Sequence, residues 1–168
     1  MKYTLLVVSI VFFDQLSKIL IKNYWFKKDF IQSFDYINVL GDYLRFVFIE
    51  NPGIAFGINP SRPVLLIILT FSIIIILFFH LFFLVKNNSN ESLPITFVLG
   101  GAIGNAIDRF LALLPSSGYK GVIDFIDIGF GDCFYCRWYV FNLADVSITI
   151  GLVLIIYQGF FAKEIIEK

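Results

Sequence analysis

The chain has 168 residues, of which 58% are hydrophobic and 18% aromatic, and its formal net charge is zero. A soluble domain of this size would lack the polar surface to cover that composition, so an integral membrane protein is predicted. The neutral charge also excludes the basic field on which nucleic-acid binding depends.

Four segments approach the roughly 20 apolar residues that cross about 30 Å of hydrocarbon. They cover residues 2–21, 64–85, 93–114 and 141–162. The first begins like a secretory signal, but it has no small-residue cleavage site and it contains Asp14 and Lys18. We therefore interpret it as an uncleaved anchor. Four spans put both termini on one side, and the chain is expected to form a single integral membrane domain.

The connection after the first span, residues 23–62, is predicted to form a small β platform. The segments FDYINVL and YLRFVFIE flank a hairpin turn at Gly41-Asp42, and Asn51-Pro52-Gly53 ends the second strand. The other long loop, residues 115–140, lies on the same side of the four spans. The predicted fold class is an all-α membrane protein with a small β extension, in which four transmembrane helices are topped by a β platform on one side of the membrane.

Ionisable side chains inside spans are functional candidates, because each is costly in hydrocarbon. In the first span, Asp14 and Lys18 are four residues apart on one helical face and can form an ion pair. In the third span, Asn105, Asp108 and Arg109 also share a face. Both sets are open to a purely structural interpretation, as an ion pair or hydrogen bonds that orient packed helices.

Two further patterns accompany these charges. Gly100 and Gly104 form a G-x-x-x-G face on which another helix can approach closely. Asn142 and Asp145 lie three residues apart in the first turns of the fourth span. This polar pair and the charged end of the third span flank the same loop, so they are expected just beneath one membrane face.

Aspartates of that loop can complete an acidic site. The segment GVIDFIDIGF contains Asp124 and Asp127 among apolar neighbours. Two neighbouring carboxylates cannot both ionise easily, so one keeps a proton while the other activates water to attack a peptide carbonyl. If the segment is a strand, Asp124 and Asp127 point to opposite faces and only one can meet Asp145. In a helical turn they would share a face.

The sequence contains no motif typical of a metal site or of a serine nucleophile. His80 has no H-x-x-x-H partner, and the chain has no G-x-S-x-G sequence. Cys133 and Cys136 lack the second pair that a zinc site requires, and a strained disulfide or free thiols both remain open for them. We expect no cofactor and no metal.

Five blocks in order resemble the lipoprotein signal peptidase (signal peptidase II) family of bacterial membrane aspartyl proteases. They are DQLSK at 14–18, NPGIAFG at 51–57, GGAIGNAIDR at 100–109, VIDF at 122–125 and FNLADVSI at 141–148. Single short motifs recur by chance, but five in order across nearly the whole chain are specific. The resemblance implies that Asp124 and Asp145 are the catalytic dyad.

The same resemblance implies a larger set of substrate-binding and supporting residues. They are Asp14, Lys18, Asn51, Gly53, Asn105, Asp108, Arg109, Asn142 and Ala144. Arg109 is suited to hold a substrate carbonyl, because a guanidinium presents several fixed donors. For Asp108 a structural pairing is favoured over a catalytic role.

The substrate implied by the family is a prolipoprotein cut on the amino side of a diacylglyceryl-modified cysteine. The implied partners are this precursor and membrane lipids, with no nucleic acid, and the protein is expected to be a monomer and a target of peptide or cyclic-peptide protease inhibitors. The implied location is the bacterial cytoplasmic (inner) membrane, with both termini cytoplasmic and the β platform on the extracytoplasmic (periplasmic) side.

The lysine and arginine count is higher on the platform side, which the positive-inside rule would place in the cytoplasm. We follow the resemblance, because several of these charges belong to a platform expected to fold against the headgroups. A proton-coupled transporter would also place charges in its spans, but no internal repeat is found. A non-enzymatic assembly factor would explain the glycine face but not the converging aspartates.

Overall fold

The computed structural model describes residues 1–27, 36–53, 63–130 and 137–166. In this part of the chain, four α-helices and three β-strands occur in the order α1 (Lys2–Lys27), β1 (Ile37–Leu40), β2 (Leu44–Asn51), α2 (Pro63–Lys86), α3 (Ser92–Leu111), β3 (Val122–Ile128) and α4 (Leu143–Ile166). A mostly helical protein with a small antiparallel sheet was predicted, and this coarse architecture is confirmed. Cys133, Cys136 and parts of the predicted platform lie outside the described residues.

Three of the helices are long and apolar enough to cross a membrane: α1, α2 and α4. Helix α2 exposes large apolar side chains on most of its surface, such as Ile76, Phe79 and Phe82, each more than 60% exposed. A soluble monomer does not carry an apolar surface of this extent, so the protein is an integral membrane protein. Helix α3, the predicted third span, is not among them, because its C-terminal half carries Gly104 together with Asn105, Asp108 and Arg109, which lower its mean hydropathy.

Helix α3 is the most deeply packed helix, and its glycines set how closely its neighbours approach. A Cβ on Gly100 would lie 2.9 Å from Ile10 Cγ2 of α1, and one on Gly104 would lie 2.6 Å from Asp14 Oδ2. The prediction that the G-x-x-x-G face admits another helix is therefore confirmed. On α4, a Cβ at Gly151 would lie 2.6 Å from Val98 Cγ2 of α3. These contacts bring the polar residues of three helices within hydrogen-bonding distance.

The observed helices differ by a few residues from the approximate spans expected from the sequence. Helix α1 continues past residue 21 to Lys27, so the first residues of the segment assigned to the platform are helical. No glycine or proline interrupts this stretch, and the rings of Trp25 and Phe26 pack on Phe48 of β2 at 6.4 and 6.2 Å. Helix α3 ends at Leu111, before residue 114. Helix α4 begins at Leu143, not at 141, because Asn142 caps it.

The sheet has the order β1-β2-β3, with both pairs antiparallel. The predicted hairpin is present: Tyr43 N donates to Leu40 O at 3.0 Å, and Gly41 has a φ of +49° in the turn. The third strand, β3, comes from the second long loop and joins the two strands of the segment that was predicted to form the platform. Its pairing aligns Asp124 with Ile49, near the end of β2.

Candidate active site

The first turn of α4 is closed by a reciprocal pair of hydrogen bonds. Asp145 N donates to Asn142 Oδ1 at 3.0 Å, and Asn142 N donates to Asp145 Oδ2 at 3.1 Å. This is a capping box built from Asn and Asp, and it satisfies two backbone donors that a helix start leaves free. The spacing N-x-x-D in the sequence therefore fixes the orientation of the Asp145 carboxylate.

Asp124 reaches the same place from β3. Its side chain is 5% exposed and accepts hydrogen bonds from Asn51 Nδ2 at 3.1 Å and from Asn142 Nδ2 at 2.6 Å. Asn105 Nδ2 donates to Asp145 Oδ1 at 2.8 Å, and Asn142 Nδ2 also donates to Asn105 Oδ1 at 3.1 Å. Three asparagines from three parts of the chain thus connect the two carboxylates into one hydrogen-bonded network.

The environment of Asp124 favours its protonated form. Burial raises the pKa of Asp124 to about 6, and the nearby charge of Asp145 raises it as well. The hydrogen bonds from Asn51 and Asn142 stabilise the charged form of Asp124, so they lower its pKa and partly offset the effect of burial. A carboxyl with such a pKa can hold or release a proton close to neutral pH, which is the property that general acid–base catalysis requires.

Beneath these carboxylates lies a fully buried ionic cluster. Lys18 Nζ is 2.8 Å from Asp14 Oδ2 and 2.9 Å from Asp108 Oδ2, and the three side chains are at most 1% exposed. Lys18 Nζ also donates to Asn105 Oδ1 at 3.1 Å. The predicted pair of Asp14 and Lys18 is therefore present, but it includes Asp108 of α3 and supports Asn105 directly.

The two aspartates of this cluster also accept backbone hydrogen bonds from the elements that carry the candidate dyad. Ala144 N donates to Asp14 Oδ1 at 2.9 Å, and Ile123 N donates to Asp108 Oδ2 at 3.1 Å. Gln15, which sequence reasoning did not select, joins the carboxylates by donating to Asp108 Oδ1 at 3.0 Å. The cluster therefore holds α4 and β3 in register beside each other. The pairing favoured for Asp108 matches this placement.

Asn51 is oriented by a tight turn. Gly53 N donates to Asn51 Oδ1 at 2.9 Å, and this orients the amide so that Asn51 Nδ2 donates to Asp124. The turn requires a φ of +107° at Gly53, a conformation that glycine adopts without strain. Arg109 lies on the other side of Asn51, where both residues line a pocket between α2 and α3.

Asp127 does not face Asp145. Residues Val122–Ile128 form a strand, and Asp127 lies three positions after Asp124 and therefore on the opposite face. Both of its carboxylate oxygens accept from Arg137 Nε at 2.8 Å. Of the two alternatives left open by the sequence, the strand is the one observed, and it separates the two aspartates.

Sequence reasoning also missed a contact set at the platform end of α1. Lys22 Nζ donates to Gly118 O at 2.7 Å, lies 3.3 Å from the centre of the Tyr119 ring and is 4.0 Å from Glu50 Oε1. The only signal for it was a lysine at the end of a span. Elsewhere, no three His, Cys, Asp or Glu side chains of the described ranges are grouped to hold a metal ion.

Comparison with known proteins identifies the family. A family model described as "Signal peptidase (SPase) II" matches residues 6–161. A lipoprotein signal peptidase of Borrelia turicatae (strain 91E135) is 35% identical over 167 residues, which cover 92% of this chain and 86% of the relative. One from Chlorobium phaeobacteroides (strain BS1) is 37% identical over 74% of this chain and 79% of that relative. A solved structure described as a bacterial membrane enzyme has a TM-score of 0.72 and 29% identity, covering 96% of this chain and 89% of that chain. The chain therefore belongs to the signal peptidase II family of membrane peptidases.

Proposed function

We propose that this peptidase is an aspartic endopeptidase that removes the signal peptide of prolipoproteins, cutting on the amino side of a diacylglyceryl-modified cysteine. Family membership supports the class of reaction, and the names of the relatives support a lipoprotein precursor as substrate. The observation that carries the mechanism is the shared hydrogen-bond network of Asp124 and Asp145, in which Asn142 contacts both residues. We assign structural or substrate-positioning roles to the other predicted site residues, which surround this network.

The proposed mechanism divides two tasks between the carboxyl groups. Asp124, with its raised pKa, holds the proton, and Asp145 at the start of α4 is the base. A water oxygen bonds to the scissile carbonyl carbon and gives its proton to Asp145. Asp124 donates a hydrogen bond to the carbonyl oxygen as negative charge develops there. The carbon–nitrogen bond then breaks, and the leaving nitrogen takes the proton that Asp145 received from water, which returns Asp145 to its basic form.

In the proposed topology α3 also crosses the membrane, as the third of four spans, and the sheet lies on the extracytoplasmic side. Helix α3 packs against α1, α2 and α4, which supports its placement inside the bundle despite its polar end. The protein would then be a multi-pass monomer in the bacterial cytoplasmic membrane, with both termini in the cytoplasm. In this arrangement the candidate dyad lies where a signal helix leaves the hydrocarbon, as cleavage at its outer end requires.

The function can be tested with a synthetic precursor whose cysteine carries a diacylglyceryl group. The purified protein in detergent micelles is expected to cut this precursor immediately before the modified cysteine, as read by mass spectrometry of both fragments. The matched control is the same peptide with an unmodified cysteine, which is expected to be cut at least about a hundredfold more slowly, because remote binding energy contributes to the rate. Equal cleavage of both peptides, or cleavage at another bond, would contradict the proposed substrate.

A further inference from the structure

Two pockets of opposite charge meet at Asn51 and Pro52, which line both of them. The smaller, about 210 Å³, lies between α2 and α3 and contains Arg109 and Lys120; we name it the Arg109 pocket. The larger, about 880 Å³, contains Asp124 and lies along the end of β2; we name it the Asp124 cleft. Because Asn51 donates to Asp124, the candidate dyad lies at the boundary between these two spaces.

The Arg109 pocket offers donors to an anion. Arg109 Nε is buried, and it has no hydrogen-bond partner among the residues that the structure describes. A buried donor without a partner is unfavourable, and an oxygen ligand would remove that cost. Lys120 adds a second positive charge, and its backbone is held by a hydrogen bond of 3.1 Å from Lys120 N to Glu50 Oε1. The remaining walls include Leu66 of α2 and Leu113, which follows the end of α3.

The Asp124 cleft has the opposite character. Asp124 contributes a carboxylate to it, and Trp138 and Tyr139 line it while remaining 62% and 89% exposed. The aromatic pair is held in place, since Trp138 N donates to Ile128 O at 2.8 Å. Carboxylates and aromatic faces both attract an ammonium group. The cleft therefore favours a positively charged product end.

Peptide hydrolysis creates one charge of each sign. The water oxygen joins the carbonyl carbon to form a carboxylate, and the leaving nitrogen becomes an ammonium group. We propose that the Arg109 pocket binds the signal-peptide side of the scissile bond and holds its new carboxylate, while the Asp124 cleft receives the lipid-modified cysteine with its new amine. This inference rests on the proposed function. It assigns to Lys120, which lies outside the five sequence blocks, a role in binding the signal-peptide fragment.

Product inhibition tests this assignment. The probe is the signal-peptide fragment ending at the residue before the modified cysteine, prepared as a free acid and as a carboxamide. For the wild-type protein, the acid is expected to inhibit cleavage at least about fivefold more strongly than the amide, because only the acid is an anion. Lys120→Met should reduce this ratio by about threefold or more, and Lys120→Arg should retain it. Lys86→Met, at the opposite end of α2, should leave the ratio unchanged.

The ratio separates binding of the charge from a general structural defect, which would weaken acid and amide equally. An equal inhibition constant for acid and amide in the wild type would overturn the inference, and so would a ratio that Lys120→Met leaves unchanged. The other product, the fragment that begins with the lipid-modified cysteine, is tested as an inhibitor in the same way. If Lys120→Met weakens inhibition by this fragment and leaves inhibition by the signal-peptide acid unchanged, the two products bind in the opposite pockets and the inference is wrong. Since these measurements require a protein that cuts the precursor, absence of cleavage would instead contradict the proposed function.

Discussion

Replacing Asp124 or Asp145 with asparagine is expected to lower the cleavage rate of the lipidated precursor by at least about a thousandfold, the loss typical of removing an essential acid or base. The amide can neither take a proton from water nor hold one for the carbonyl oxygen. Both changes preserve side-chain volume, and Asn142 retains an acceptor at either position. Single-turnover cleavage at neutral pH is the measurement, since it reports chemistry without product release.

Asp127→Asn is the matched control for this experiment. It makes the same chemical change on the same strand, but its side chain faces Arg137 and points away from Asp145. This variant is expected to keep its cleavage rate within about tenfold of the wild type, as removal of a partly exposed ion pair has a small effect. Normal turnover in Asp124→Asn or Asp145→Asn would refute the assignment of the dyad. An equally large loss of cleavage rate in Asp127→Asn would show that the effect is not specific to the two dyad residues.

Lys18→Met is expected to cause the largest loss of stability of any single substitution considered, about 3–5 kcal/mol in the free energy of unfolding. It leaves Asp14 and Asp108 at 0% exposure without the cation that both contact. Those carboxylates also hold Ala144 N and Ile123 N, so their rearrangement would move the elements that carry the candidate dyad. Denaturant or thermal unfolding in detergent micelles measures the change.

Lys22→Met serves as the comparison on the same helix. Lys22 Nζ is 4.0 Å from Glu50 Oε1 and its side chain is 12% exposed, so its replacement leaves no fully buried charge without a partner and is expected to cost about 1–2 kcal/mol, less than Lys18→Met. Adding Asp108→Asn to Lys18→Met should recover part of the loss, because it removes one unpaired charge and keeps an acceptor for Ile123 N. Equal stability of Lys18→Met and the wild type would show that the buried cluster is not the support described here.

Local sequence patterns predicted the features that depend on local geometry. The spacing of Asp14 and Lys18 predicted their ion pair, and Gly41-Asp42 predicted the hairpin between β1 and β2. The G-x-x-x-G spacing predicted that another helix packs closely on α3, because two glycines four residues apart leave one helical face without side chains. The choice between Asp124 and Asp127 was open, since it depended on whether their segment was a strand.

Contacts between distant segments could not be predicted in this way. The hydrogen bond from Ala144 N to Asp14 joins residues 130 positions apart, and no local pattern encodes it. The pairing of β3 with β2 likewise depends on how the second loop folds back over the helices. The extension of α1 to Lys27 follows from packing on Phe48, a residue of another element. These features arise from tertiary packing, which overrides the local propensity of each segment.

The central claim is that Asp124 and Asp145 form one catalytic pair in which Asp124 holds the proton. Titration of the Asp124 carboxyl tests this claim most directly. The infrared band of its protonated form can be identified by its loss in Asp124→Asn. In the wild type, this band should disappear with a midpoint near pH 6, and the cleavage rate should fall over the same range as the proton is lost. In Asp145→Asn the midpoint should move to lower pH, because the repelling charge is removed. A midpoint near pH 4 that is the same in both proteins would contradict the account.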